Sequence, residues 1–216
     1  MRHVPYDDKH TIAWFKLAEF VSRGEKERAL GIYKLLVLSI DDPAFAFKLE
    51  GDILYSFRDE VAIEKYLKAA NIYQKEERFT EAVAVYENLI TINPDSQEYL
   101  KSLIELYKKL NCIPKVIFNL KRLFLLKIKA NEISNSLELL QNLETFSQEN
   151  FGHLYEQMSF ALLQNNQEKQ TILKYLQKTV DDYFLTNDKN SLQKFLSKLE
   201  NTDQKFYKEI IKNIKE

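Results

Sequence analysis

The stretch from Glu60 to Pro94 constrains this chain most. It holds two helical patterns joined by a short polar turn, with small and aromatic residues at fixed offsets: Ala70, Tyr73, Ala82, Tyr86, Leu89 and Pro94. A small residue on each helix lets its partner approach closely, and an aromatic ring fills the gap beside it. The pattern therefore reads as a helical hairpin. Only four Gly and four Pro punctuate the 216 residues. That is too few turn residues for an all-β fold, so the rest of the chain is expected to form long helices with short polar links.

The hairpin recurs. At a period of 33 residues Trp14 maps to Phe47, Ala18 to Gly51, Val21 to Leu54, Ala29 to Ala62, Tyr33 to Tyr66 and Leu36 to Ala69. At a period of 34, Ala70 maps to Ile104, Tyr73 to Tyr107, Ala82 to Val116, Tyr86 to Leu120 and Leu89 to Leu123. The two registers overlap on one helix, roughly Glu60 to Lys75, which must then bury two faces; its alanines suit that demand. Asp42 reads as an N-cap with Pro43 at the first helical position. Asn93-Pro94 reads as the restart of a helix, and Pro114 falls in the first turn of the next. Beyond Asn150 the repeat is looser, with Ser159, Leu162, Thr171 and Tyr175 at the offsets of Ala70, Tyr73, Ala82 and Tyr86. The last helices, about Lys189 to Leu199 and Asp203 to Ile214, carry an apolar stripe opposite a lysine-rich face, as a capping pair should. The expected organisation is an N-terminal extension over 1–10, a repeat array over 11–184 and capping helices over 185–216.

The sets Trp14, Leu17, Ala18 and Ala70, Tyr73, Ala82, Tyr86, Pro94 resemble the tetratricopeptide repeat (TPR), well over residues 11–127 and weakly over 150–184. The resemblance implies an all-α fold, a right-handed α-α superhelix or TPR-like solenoid of about twelve antiparallel helices. It also implies a non-catalytic scaffold or adaptor whose first helices line a concave groove for a peptide or helix of a partner protein. Carried over by position, the groove residues are Glu64, Leu67, Lys68, Asn71 and Gln74 on one helix, and Glu98, Lys101, Ser102, Glu105 and Lys108 on another. Asn71 offers a donor and an acceptor to a peptide backbone. Lys101 and Lys108 suit an acidic side chain or a C-terminal carboxylate. The family's two-carboxylate clamp for chaperone tails is not supported, because Phe15 and Glu19, then Leu67 and Asn71, stand at its leading positions. The alternative role is a component of a vesicle-attachment or secretion assembly that engages through helix ends or the convex face.

A net charge of −1 gives no global attraction for nucleic acid or an anionic membrane. Local charge is uneven: Lys101 to Ala130 holds eight Lys or Arg and one Glu, and Asn131 to Glu168 holds six Glu with no Lys or Arg. Lys109, Lys115, Lys121, Arg122, Lys127 and Lys129 form either a solvated helix face or a basic patch for an acidic partner. Phe118 and Phe124 share helical spacing with leucines, so core packing explains them better than RNA stacking does. No phosphate loop, His-Glu-x-x-His or Gly-x-Ser-x-Gly occurs, and His3, His10 and His153 are scattered. The expectation is therefore no enzyme, no cofactor and no metal. The single Cys112 cannot form an intrachain disulfide and points to a reducing compartment and a structural thiol. No apolar run approaches the roughly 18 residues of a membrane span, so a cytoplasmic protein is expected. Exposed terminal repeats also allow a homo-oligomer.

Overall fold

The computed structural model describes residues 8–146 and 149–215. The expected N-terminal extension over 1–10 falls mostly outside the described residues, and His3 with it. Among the described residues there are twelve α-helices and no strand. In chain order they are α1 (Asp8–Ser22), α2 (Lys26–Leu36), α3 (Pro43–Ser56), α4 (Val61–Lys75), α5 (Phe79–Ile92) and α6 (Gln97–Lys109). There follow α7 (Ile113–Lys129), α8 (Ile133–Phe146), α9 (Gly152–Gln164), α10 (Lys169–Leu185), α11 (Lys189–Thr202) and α12 (Gln204–Lys215). The chain divides into two compact units, one ending at Cys112 and the other starting at Ile113. Each therefore holds six helices.

Within the first unit α1 packs on α2, α3 on α4, α4 on α5 and α5 on α6. The helix shared by the two sequence registers does bury two faces: α4 lies against both α3 and α5, with Ala62, Ala69 and Ala70 inaccessible or nearly so. Gly51 of α3 meets Tyr66 of α4 so closely that an added Cβ would lie 2.9 Å from the ring. In the second unit α7 packs on α8, α9 on α10, and α11 on both α10 and α12.

Helix starts follow their side chains. Asp42 accepts a hydrogen bond from the Phe45 N–H at 3.0 Å, with Pro43 in the first turn. Helix α6 begins later than Asn93-Pro94 suggested. Ser96 is its cap, accepting from the Tyr99 N–H, and the Ser96 N–H closes a turn on the Asn93 carbonyl. Asn93-Pro94 is thus the connection and not the helix start.

One tight turn is used repeatedly. Gly24, Arg58, Glu77, Asn111, Asn131, Asn166 and Asn187 all have positive φ, and they follow α1, α3, α4, α6, α7, α9 and α10. The next residue's N–H reaches back to a carbonyl five residues earlier, as from Arg78 to Tyr73, Cys112 to Tyr107 and Asp188 to Tyr183. This is the Schellman closure of a helix C-terminus. It recurs in the same order in both units, which therefore repeat one another helix for helix. Buried residues correspond across that repeat: Ala29 and Ser136, Leu36 and Leu143, Gly51 and Ser159, Leu54 and Leu162, Tyr73 and Tyr183, Val85 and Phe195, Leu89 and Leu199.

Buried tyrosines tie neighbouring helices together through carboxylates. The hydroxyl of Tyr66 donates to Asp52 at 2.8 Å, that of Tyr107 to Glu87 at 2.6 Å and that of Tyr183 to Glu156 at 2.9 Å. Each ring thus contributes apolar burial while its one polar atom is satisfied. Burial and then the Asp52 bond push the Tyr66 phenol well above its ordinary range. Tyr33, which donates to the Ala46 carbonyl at 3.0 Å, is pushed up to about 12, by burial first and then by Glu50.

Candidate protein-binding groove

Helices α1 and α3 of the first unit leave an apolar groove between them, lined by Trp14, Leu17, Ala18 and Val21 on one side and Leu49, Asp52 and Ile53 on the other. Its volume is about 220 Å³. A shallower strip, lined by Thr11, Trp14, Phe15 and Ala18, adjoins it. Side chains that would ordinarily be covered are open here: Trp14 is 38% exposed and Phe15 72%. The period of 33 residues maps Ala18 onto Gly51, so both should receive a partner's side chain. Gly51 does, from Tyr66. Ala18 stays exposed, and the Tyr33 hydroxyl donates to the Ala46 carbonyl of α3. The groove floor is fixed by Asp52, which accepts from Tyr66 at 2.8 Å and pairs with Lys48 at 2.7 Å.

The polar positions carried over from the repeat family lie elsewhere, on α4 and α6, each of which packs against α5. Asn71 and Lys101 are exposed and Ser102 is half-buried. Gln74 donates to the Tyr86 hydroxyl at 3.2 Å, a bond within the α4–α5 hairpin. Lys68 pairs with Glu64 at 2.6 Å and sits 5.8 Å over the Phe47 ring. Its hydrogen bond and charge hold the Glu64 carboxyl below its ordinary range. Lys108 pairs with Glu105 at 2.8 Å. Exposed pairs of this kind hold each other weakly and can be exchanged for a ligand.

The basic segment is divided. Lys101, Lys108 and Lys109 belong to the first unit, and Lys115, Lys121, Arg122, Lys127 and Lys129 to the second. Lys109 lies 4.5 Å over the Phe79 ring. Lys121 pairs with Glu149 at 2.7 Å. Lys127 is 6% exposed and pairs with Glu132 at 2.5 Å. Arg122 is half-buried, whereas Lys115 and Lys129 are exposed. Cys112 is half-buried and His153 exposed. Among the described residues no group of His, Cys, Asp or Glu could hold a metal ion, and no helix is long and apolar enough to cross a membrane.

The groove escaped the sequence reading because nothing in the pattern separates a small residue that is filled from one left open. Gly51 and Ala18 occupy the same repeat position. Gly51 lies against the Tyr66 ring, whereas Ala18 is exposed.

No protein-family model matches the chain, and no curated protein matches it. Solved structures do, 30 chains in all. YrrB, described as a TPR protein with an unusual peptide-binding site, is 12% identical with a TM-score of 0.27, covering 68% of this chain and 91% of its own. A tetratricopeptide repeat protein from Parabacteroides merdae is 16% identical with a TM-score of 0.29, covering 95% of this chain and 98% of its own. PilF of Pseudomonas aeruginosa is 11% identical with a TM-score of 0.28, covering 96% and 98%. What identifies the fold is the geometry within each unit: antiparallel hairpins, a small residue against an aromatic ring at Gly51 and Tyr66, and a helix shared between successive hairpins. The chain is an all-α helical-repeat protein, built of antiparallel hairpins that resemble those of the tetratricopeptide repeat.

Proposed function

We propose that this chain is a non-catalytic protein-interaction scaffold, and that it binds a peptide or helix of a partner protein in the groove between α1 and α3. The carrying observation is the open apolar lining itself. An indole and a phenyl ring stand exposed beside a small residue whose repeat equivalent is filled by a tyrosine. Aromatic anchors in a pocket supply most of the free energy at protein interfaces. Asn71, Lys101 and Lys108 on α4 and α6 provide polar positions for a longer segment or an acidic side chain.

The test uses a random helical-peptide library selected on the full chain, with the bound peptides then measured by fluorescence anisotropy. Trp14→Ala and Ala18→Glu each weaken binding by about tenfold or more, about 1.4 kcal/mol, and the Trp14 emission shifts on binding. Asn71→Ala and Lys101→Glu have a smaller effect. If those two abolish binding while Trp14→Ala does not, the α4 and α6 positions carry the function instead. If no selected peptide responds to any of the four, the scaffold reading fails.

A further inference from the structure

The outer face of α2 is apolar where nothing in the fold covers it. The helix packs through Ala29, Tyr33 and Leu36, all buried. On the other side Leu35 is 64% exposed, and Leu38, in the 3-10 turn Val37–Ser39 that extends α2, is 84% exposed. Gly31 stands beside them. A Cβ added there meets nothing within 4 Å, so packing within the unit does not require a glycine. Across the repeat relating the two units, Gly31, Leu35 and Leu38 fall on Glu138, Asn142 and Thr145 of α8, all exposed. The fold thus accepts polar side chains at these positions. In α2 it carries instead a glycine, unfavourable inside a helix, and two leucines open to water.

We infer that this face of α2 binds the same face of a second copy of the chain, the two helices running antiparallel about a two-fold axis at Gly31. The face is complementary to itself. Gly24, Gly31 and Leu38 follow one another at steps of seven residues, about 10.5 Å along a helix. Antiparallel pairing about Gly31 sets glycine on glycine, which lets the two backbones approach closely. It also sets Leu38 of each copy over the other copy's Gly24, in the turn before α2, where an added Cβ again meets nothing within 4 Å. Leu35 packs beside the crossing. Charge selects the same occupant and the same direction. Glu27 and Lys34 lie seven residues apart on one flank of α2, both exposed and in no ion pair among the described residues. Antiparallel pairing about the axis brings that flank against itself, so each Glu27 meets the other copy's Lys34. Parallel pairing puts the two flanks on opposite sides and leaves these charges unmatched. Arg28 and Lys26 are already held by Glu25 and Asp59, at 2.6 and 2.5 Å, and take no part. Such a contact is isologous and closes at two chains. It involves none of the residues that line the α1–α3 groove.

Sedimentation velocity of the full chain, from about 1 μM to about 1 mM, reads the association. The expected result is a monomer that passes to a dimer and no further. Gly31→Glu and Leu35→Asn, which borrow the residues of α8, each weaken dimerisation about tenfold or more, while the circular-dichroism spectrum stays that of the parent. Glu27→Lys or Lys34→Glu alone weakens it about tenfold, since two attractions become two repulsions. Both changes in one chain restore the dimer, and mixing the two single variants in equal amounts gives a mixed dimer; each rescue requires folded protein. A chain that stays monomeric throughout, a dimer indifferent to Gly31→Glu, charge variants that the exchange does not rescue, or growth beyond two chains overturns the inference.

Discussion

Gly51→Ala adds one methyl group at the tightest contact between α3 and α4. The new carbon would lie 2.9 Å from Cδ1 and Cε1 of Tyr66 and 3.2 Å from Cγ, where carbon atoms prefer about 3.5–4.0 Å. The ring has little room to retreat. It is 1% exposed, and its hydroxyl is held to Asp52 at 2.8 Å. Overpacking of this kind costs about 1–3 kcal/mol. Replacing Gly by Ala inside a helix returns about 0.5–1 kcal/mol, so the net loss is about 0–2.5 kcal/mol. Gly31→Ala is the internal control. Gly31 lies within α2, and an added Cβ there meets nothing within 4 Å, so only the helix term applies and the variant gains about 0.5–1 kcal/mol. The same chemical change thus has opposite signs in one unit. Urea titration followed by the fluorescence of Trp14, the only tryptophan and part of the same unit, reads both variants. The midpoints should move in opposite directions at constant slope. A Gly51→Ala midpoint equal to or above that of Gly31→Ala would refute the packing argument.

Two further outcomes follow from the same contacts. The Asp182 carboxylate on α10 accepts from the backbone N–H groups of Phe151 and Gly152 at 3.1 and 2.8 Å, capping α9 from another helix. Asp182→Ala should lower stability by about 1 kcal/mol, the ordinary worth of a cap, and an unchanged circular-dichroism melt would show that the α9 terminus does not need it. The second outcome concerns acid. At Asp42, burial pushes the carboxyl up, but the Phe45 N–H and the Arg78 guanidinium together bring it below its ordinary range. Lys26 lowers Asp59, and Arg78 lowers Glu81. A carboxyl depressed in the folded state contributes stability that is full above its unfolded pKa, near 4, and is lost as pH falls through the folded value. The Trp14-monitored melting temperature should therefore be flat from neutral pH to about 5 and fall below about 4. Arg78→Met should flatten that fall, and an acid dependence identical to that of the parent would remove the assignment.

The two units also bear on how such a chain presents surfaces. The same helix order and turn closure appear twice, yet the equivalent outer stripe reads Phe15 and Ala18 in one unit and Arg122 and Leu125 in the other. Core positions are held to size and polarity by packing, whereas outward positions are free to diverge.

By itself the sequence determined the helices and their hairpins. Apolar residues at helical spacing, with so few Gly and Pro, leave no other way to bury 45% hydrophobic residues. Asp42-Pro43 marked its own helix start because an N-cap and a first-turn proline act locally. The alanines of α4 showed that it packs on two sides, since only small residues allow that approach. The tertiary structure alone decided the rest. The seven left-handed turns are nearly all Asn, Arg or Glu, not Gly, so glycine spacing did not mark the repeat of one six-helix unit in the other. Lys121 and Lys127, which read as members of a basic surface, are drawn to Glu149 and Glu132. Ala18 is open while Gly51, at the same repeat position, is filled by Tyr66 of the next helix. These are contacts between side chains on different helices, and a one-dimensional pattern fixes which faces are apolar without fixing which atoms meet.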